Sequence, residues 1–314
     1  MKPAIQFDSL TKKIKFLAKD LGFDDLAICD ASIRFDRKSY LNWIKKNFNG
    51  SMSYLERNIE MRLAPRLIRP TTASIICVIA NYLNIPLSEM DFKLKDKRKG
   101  YISAYASGKD YHKIIRKKLL KLSKGLEQEI GPFGYRVFTD SAPIYEKPLA
   151  QNSGLGWIGK NTILINKSFG SFFFLGEIFT DLKLPAVSSK KENLCGTCTN
   201  CLDVCPTKAL VAPYKLDSRR CISYLTIESK ASIPMELRDK IGNRIFGCDD
   251  CQIFCPWNKY AKIEKTNIFS SPQELDSKTL LEMFLFNEED FKRVTVGTAM
   301  RRINYKQWLR NLAI

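Results

Sequence analysis

The sequence predicts an α+β protein. A mixed-sheet α/β domain over residues 1–185 is followed by a ferredoxin-like domain carrying two [4Fe-4S] clusters over 186–260 and a short, basic helical segment over 261–314. Three observations carry this. Helical and strand-like hydrophobic patterns alternate through the first 185 residues. Eight of the ten cysteines fall between Cys195 and Cys255, after a polar, proline-containing connector, "LKLPAVSSKKEN" (182–193). Beyond Pro256 the pattern is helical. A chain of 314 residues has room for one large domain and one or two smaller ones.

In "MKPAIQFDSLTKKIKFLAKD", Leu10, Ile14, Leu17 and Ala18 share one stripe of an amphipathic helix, and lysines interrupt the stretch too often for a signal peptide. "DLAICD" (25–30) and "SIICVIANYL" (74–83) have the length and apolar content of buried strands. Cys29 and Cys77 lie inside them and read as packed core thiols. "KLKDKRKG" (93–100) reads as a solvated loop, with contact to RNA as the lesser alternative. "DYHKIIRKKLLKLSKGLEQEI" (110–130) is a long basic helix with Ile114, Ile115, Leu119 and Leu122 inward. "YRVFTD" (135–140) is a strand ending at an acid, and "TILINKSFGSFFFLGEIF" (162–179) reads as two strands about a Lys-Ser-Phe-Gly turn. The end, "AMRRINYKQWLRNLAI", reads as one basic amphipathic helix.

The 51 basic and 33 acidic residues leave a net charge of +18. That imbalance points to an anionic partner, most simply nucleic acid; a generally basic surface is the blander alternative. No apolar run reaches the ~18–20 residues that cross a bilayer. The chain is therefore expected in the cytoplasm, away from membranes. Ten cysteines in that compartment are not expected to form disulfides, and their clustering argues for metal.

"CGTCTNCLDVCP" supplies Cys195, Cys198, Cys201 and Cys205 ahead of Pro206, the full C-x2-C-x2-C-x3-C-P run of bacterial ferredoxins. Its fourth cysteine ligates the other cluster in two-cluster ferredoxins. Zinc is disfavoured, because zinc sites rarely combine three close thiolates with a Cys-Pro. The second group, "CDDCQIFCP" (248–256), looks one cysteine short. Cys205 needs a second cluster, Cys248 and Cys251 supply two more ligands, and Cys255 is expected to cross back to the first. Cys221 is the one cysteine left in this half of the chain. The expected sets are Cys195, Cys198, Cys201 and Cys255, and Cys205, Cys221, Cys248 and Cys251. The alternative is a three-cysteine second site with Cys221 merely buried. Two clusters make an electron relay, so the first domain is expected to hold whatever receives the electrons.

Asp140 stands at a strand end ahead of a helix, where open α/β sheets bind ligands. It is a candidate general acid; a helix cap is the alternative. "GLGWIGKN" (154–161) puts three glycines around a tryptophan, which allows close backbone approach to a cofactor, but it fits neither a P-loop nor a dinucleotide fingerprint. His112 is the only histidine, so any histidine-based triad or zinc deaminase site would have to use it. It reads either as a half-buried surface residue or as a contact to cofactor or phosphate.

Six stretches, in order along the chain, together resemble the epoxyqueuosine reductase family: "YASGKDYHKIIRKKL", "TDSAPIYEKPLAQNSGLGWIGKNTILI", "CGTCTNCLDVCPTKAL", "CISYLTIESKASIP", "GCDDCQIFCPWN" and "LRNLAI". The resemblance implies a cobalamin-dependent enzyme with two [4Fe-4S] clusters, related to the reductive dehalogenases, that reduces the epoxide of epoxyqueuosine at the tRNA wobble position to queuosine. The partners it implies are the anticodon stem-loop, met by the basic surface, and an electron donor of unidentified kind; the chain is expected to act as a monomer. No D-x-H-x-x-G pattern is present to offer cobalt a lower histidine, so base-off cobalamin is expected. Asp140 matches the family's proton donor, a role that needs a carboxyl kept protonated near neutrality by burial.

By the same resemblance Arg57, Ser103, Tyr105, His112, Lys160 and Asn161 belong to the corrinoid pocket region, and Ser223 and Lys230 face cofactor or tRNA. Many relatives carry a helical-repeat extension beyond the position of "RNLAI". RNA contacts made there are expected to come here from the basic C-terminal helix, or to be absent. Two other readings compete: a corrinoid reductase of a small molecule, and a two-cluster electron carrier.

Overall fold

Helix α1 (Phe7–Asp20) buries Leu10, Ile14 and Ala18, the stripe its spacing dictates, and packs beside strand β1 (Asp25–Asp30). This computed structural model describes residues 7–186, 192–264, 268–269 and 274–314. The first six residues of the expected amphipathic stretch, and residues 187–191 of the expected connector, lie outside the described residues. Helix α2 (Arg37–Lys45) starts where the Asp36 carboxylate accepts the Ser39 amide, and the short α3 (Ile59–Leu63) follows. Strand β2 (Ser74–Asn81) is buried at every position. Helix α4 (Leu87–Lys95) takes up the first lysines of "KLKDKRKG", so only the rest of the expected loop is a turn. Pairs Glu89–Lys93 and Asp91–Lys95, four residues apart, support that helix end.

After β3 (Tyr101–Ile102), helix α5 (Tyr111–Ile130) runs 20 residues from an Asp110 cap. It buries Ile115, Leu119, Leu122 and Leu126, with Ile114 partly covered. Strand β4 (Tyr135–Phe138), helix α6 (Glu146–Ser153) and strands β5 (Trp157–Ile158), β6 (Leu164–Ile165) and β7 (Phe173–Thr180) complete this part. The cysteine-bearing stretch contains α7 (Asn200–Asp203), β8 (Leu210–Ala212), β9 (Lys215–Leu216), α8 (Met235–Ile241), β10 (Arg244–Phe246) and α9 (Asp250–Ile253). Among the described residues four helices follow: α10 (Glu274–Ser277), α11 (Leu280–Phe284), α12 (Glu288–Thr295) and α13 (Tyr305–Leu312). Among the described residues no helix is long and apolar enough to cross a membrane.

The large sheet has the order β1-β2-β7-β4, and each neighbouring pair is antiparallel. The parallel pairing lies elsewhere: β10 of the cysteine-bearing stretch pairs with β3. Alternate strand residues serve opposite faces. Ile28, Ile76, Val78, Phe174 and Ile178 pack toward α1 and α5. Cys29, Ile75, Cys77, Ile79, Phe173 and Phe179 pack toward α6. Both core cysteines are buried as expected.

Residues 162–179 hold the two expected strands, β6 and β7, about a Lys-Ser-Phe-Gly turn closed by the Asn166–Gly170 bridge, but the two do not pair: β6 pairs with β5, while β7 lies between β2 and β4. A Cβ on Gly156 would stand 2.1 Å from the Ile165 carbonyl oxygen, so the glycine of "GLGWIGKN" serves the approach of β5 to β6. The terminal segment is not one helix. A 3-10 turn (Ala299–Arg302) ends ahead of α13, because Asn304 accepts the Gln307 amide while the Gln307 side chain accepts the Asn304 amide. Such a reciprocal box marks a helix start.

Candidate active site

Cys195, Cys198, Cys201 and Cys255 line one small cavity of about 280 Å³ together with Trp257. Burial pushes the Cys201 thiol up to about 11, and its next strongest influences are Cys255, Cys195 and Cys198. In the other neighbourhood, burial and then Cys221 and Cys205 push Cys251 well up; burial, Asp250, Cys221 and Cys251 do the same for Cys248. Cys221 is raised by burial and feels Cys205. The thiols thus fall into two fours. Buried thiols that raise one another need cationic charge to ionise, and iron supplies it, so the donor set fits a cluster. Among the described residues no three His, Cys, Asp or Glu side chains could hold a metal ion. A cube of four irons and four sulfides is a larger body than one ion, and its ligands stand further apart.

Three residues expected in the corrinoid region hydrogen-bond to these cysteine loops. Lys160 Nζ donates to the carbonyls of Gly196 (2.7 Å) and Cys198 (2.8 Å). Asn161 Nδ2 donates to the Cys251 carbonyl at 3.1 Å. Ser103 is buried and donates at 2.6 Å to Asp249, which also accepts the Tyr101 hydroxyl and the Ala104 amide, each at 2.8 Å. None of the three lines the large cavity.

That cavity has a volume of about 1170 Å³. Arg57, Tyr105, His112 and Asp140 line it, with an aromatic wall of Tyr40, Trp43, Tyr54, Tyr111 and Tyr145 and further cations at Arg62, Lys147 and Arg302. The opposite side is the segment that carries Cys221. Ser218, whose amide donates to the Phe48 carbonyl at 2.8 Å, and Ile227 and Glu228 at the end of a π-helical turn (Tyr224–Glu228) all face it. The Tyr224 hydroxyl accepts the Ser51 amide at 2.7 Å, and Gly50 is required there because a Cβ would lie 2.5 Å from that hydroxyl. Ser223 hydrogen-bonds the Cys221 thiol, and Lys230 is exposed; neither lines the cavity.

Asp140 lies two residues beyond β4 on a backbone with φ 53°, a left-handed conformation uncommon for a non-glycine residue. It is not a helix cap, since α6 begins at Glu146 with Tyr145 at the cap position. Nor does the rule for parallel sheets explain its place, because β4 belongs to an antiparallel sheet. Asp140 Oδ2 accepts the Tyr111 hydroxyl at 2.6 Å and faces His112 Nε2 at 3.3 Å, while His112 Nδ1 faces Asp110 at 2.8 Å. Tyr111 stacks on both His112 and Phe174.

Burial raises the Asp140 carboxyl, but the hydrogen bonds from His112 and Tyr111 and the charges of His112 and Arg302 outweigh it and leave it below the ordinary carboxylate range. A carboxyl protonated near neutrality is therefore not what this arrangement holds. The arrangement favours the proton on His112, which is raised above 6.5, first by its bond to Asp140 and, against the opposing effect of burial, by Asp110. The pair His112–Asp140 is one proton-holding unit.

Sequence reasoning missed Tyr111, Asp110, Glu146 and Arg302. Tyr111 and Asp110 adjoin the lone histidine, a signal available in "KDYHK"; Arg302 carried none.

Two groups of cysteine thiols and a chamber containing a proton-holding dyad are the working parts of an iron–sulfur oxidoreductase. Comparison narrows the class. The family model described as "Epoxyqueuosine reductase QueG, DUF1730" matches residues 62–141, and "4Fe-4S double cluster binding domain" matches 194–258. The epoxyqueuosine reductase of Pseudomonas aeruginosa is 46% identical over 305 residues, 97% of this chain and 84% of that one. A crystal structure of epoxyqueuosine reductase with an epoxyqueuosine-modified tRNA-Tyr stem loop superposes with a TM-score of 0.85 at 30% identity, covering 98% of this chain and 80% of that one. The Bacillus subtilis epoxyqueuosine reductase, solved with its catalytic aspartate loop swung out of the active site, gives 0.84 at 29% identity over 98% and 81%. The chain belongs to the epoxyqueuosine reductase family, and the expected combination of helix, sheet and double-cluster domain is borne out.

Proposed function

We propose that this chain reduces the epoxide of epoxyqueuosine at the wobble position of tRNA to queuosine, taking electrons through two [4Fe-4S] clusters to base-off cobalamin in the large cavity. It acts as a monomer in the cytoplasm, with reducing equivalents from an electron donor of unidentified kind. The observation that carries the reading is the placement of one chamber between the His112–Asp140 pair and the segment bearing Cys221.

The chamber fits a corrinoid. Its 1170 Å³ exceeds the roughly 300–1,000 Å³ of ordinary small-molecule sites, and its aromatic and cationic walls suit a broad ring fringed with amides and carrying a phosphate. Both nitrogens of His112 are committed to carboxylates, so no histidine is free for cobalt, which supports the base-off form. Arg57, Tyr105 and Lys147 are placed to hold the group. When bound, cobalamin supplies a strongly reducing metal able to deliver electrons to the epoxide carbons.

The chain's own residues handle charge and protons. Loss of the epoxide oxygen as water takes two electrons and two protons. His112 Nε2 gives its proton to Asp140 Oδ2, which passes it to the leaving oxygen; the pair, reprotonated from solvent, delivers the second proton by the same route, and Tyr111 and Asp110 hold it in register. The net charge of +18 supports tRNA as the substrate, with phosphates supplying affinity and the modified base specificity. Two measurements test this. Anaerobically reconstituted protein should retain a corrinoid absorption spectrum after desalting, and should bind tRNA with an affinity that falls steeply with salt. Loss of the spectrum removes the cobalamin assignment. Absence of tRNA binding favours a small-molecule substrate.

A further inference from the structure

Glu177 is the one acid in β7, "FFLGEIFT", and it is fully buried. By strand parity it lies on the face that packs against α6. There its carboxyl group stands within reach of that of Glu146, the first residue of α6, where only a proton on one of the two would make a hydrogen bond. Among the described residues no N–H or O–H donor reaches either Glu177 oxygen. Two carboxylates in contact, one of them fully buried, repel, and a single proton turns the contact into an O–H···O bond. Glu146 has one further commitment: its Oε1 accepts the Asp140 amide at 2.6 Å. A line of contacts therefore runs from the sheet through two acids to the backbone of Asp140, whose left-handed φ of 53° needs an external hold.

We propose that Glu177 retains a proton and donates it to Glu146, that Glu146 accepts the Asp140 amide as an anion, and that this acid pair is the positioning device for the proton-delivering loop. The inference rests on the role of Asp140 given above. The electrostatics agree with the geometry. Burial and then Glu146 push Glu177 well above the carboxylate range, while burial and then the Asp140 charge raise Glu146 to about 7. The other titratable groups around the pair are His112 from α5, Lys147 from α6, Cys29 from β1 and Cys77 from β2. Lys147 donates to the Thr162 carbonyl at 2.8 Å. Since the Glu146 pKa is raised, its anion is present above about 7 and lost as pH falls through that value, so the hold on Asp140 weakens on the acid side.

The test uses the reconstituted full chain and epoxyqueuosine-containing tRNA. Glu177→Leu fills the volume without a donor; it should lower kcat by about tenfold with KM changed by less than about threefold and iron content unchanged. Glu177→Gln still donates to Glu146 and should restore most of the loss. In the wild type kcat/KM should fall on the acid side with a midpoint of about 7, and in Glu146→Gln that limb should vanish. The limb carries the test if Glu177→Leu does not fold. Full activity in Glu177→Leu, no rescue by Glu177→Gln, or an unchanged acid limb in Glu146→Gln overturns the proposal. Asp140→Ala is run in parallel. If it is inactive while the Glu177 variants behave as wild type, only the positioning role fails; if it is fully active, the role of Asp140 itself fails.

Discussion

Replacing Cys221 by alanine tests the pairing of thiolates that organises the whole chain. Cys221 lies 27 residues before Cys248 and 16 after Cys205, yet Cys205 is its thiol neighbour and it heads the influences of other thiols on Cys251 and Cys248. Two [4Fe-4S] clusters hold eight irons per chain. Removing one ligand of the second cluster should take the content from eight toward four, and leave the site lined by Cys195, Cys198, Cys201 and Cys255 intact. Double variants sharpen the arithmetic. Residues of one site act as a unit, so Cys205→Ala with Cys221→Ala should lose no more iron than either alone. Cys221→Ala with Cys255→Ala should lose both clusters. The assay is iron per chain after anaerobic reconstitution, with electron paramagnetic resonance of the reduced protein to count clusters. Eight irons retained in Cys221→Ala, or loss of both clusters in the Cys205/Cys221 pair, would refute the crossed assignment.

Asp140→Ala should slow turnover by about 10²–10⁴-fold while keeping iron and fold, the usual weight of a positioned acid; a variant of unchanged rate removes that role. The raised pKa of His112 means its proton is present at low pH and lost as pH rises through a value above 6.5, so kcat/KM should decline on the alkaline side. Asp110→Asn removes one of the raising influences and should move that limb to lower pH; an unmoved limb contradicts the dyad. Arg310 donates to the carbonyls of Leu225, Ser229 and Ala231, each at 2.7 Å. Arg310→Ala should cost about 1–3 kcal/mol in denaturant unfolding, because those carbonyls lose a charged donor; a loss near zero would show that solvent replaces it.

What could be read from the sequence was what is local. The C-x2-C-x2-C-x3-C-P run is a ligand set written within a dozen residues, and the stripes of α1 and α5 repeat at helical spacing. β5 was missed, and with it the partner of β6, because strand partners are chosen in space; the Gly156 contact with Ile165 shows why. The break before α13 was legible, since Asn304 and Gln307 are the two ends of a capping box, but the amphipathic pattern across it hid the signal. Lys160, Asn161 and Ser103 were recognised as part of a motif, but their hydrogen-bond partners were not legible, because sequence shows that a polar side chain is needed without showing which group it reaches. The charge state of Asp140 was least legible. Burial alone predicts a raised carboxyl, and the reversal comes from Tyr111 and His112, some 28 residues away in sequence. Glu177, a lone acid in an apolar strand, was a visible irregularity whose meaning needed its partner on α6.

The proposed function places one chamber between the Cys221-bearing segment and a proton-delivering dyad for reductive loss of an epoxide oxygen. The most direct test is anaerobic incubation of the reconstituted chain with tRNA containing epoxyqueuosine and a chemical reductant, read by nucleoside mass spectrometry. The account predicts a nucleoside lighter by one oxygen atom, appearing only with reductant and cobalamin present. Unchanged epoxyqueuosine in protein that carries both clusters and cobalamin would contradict it.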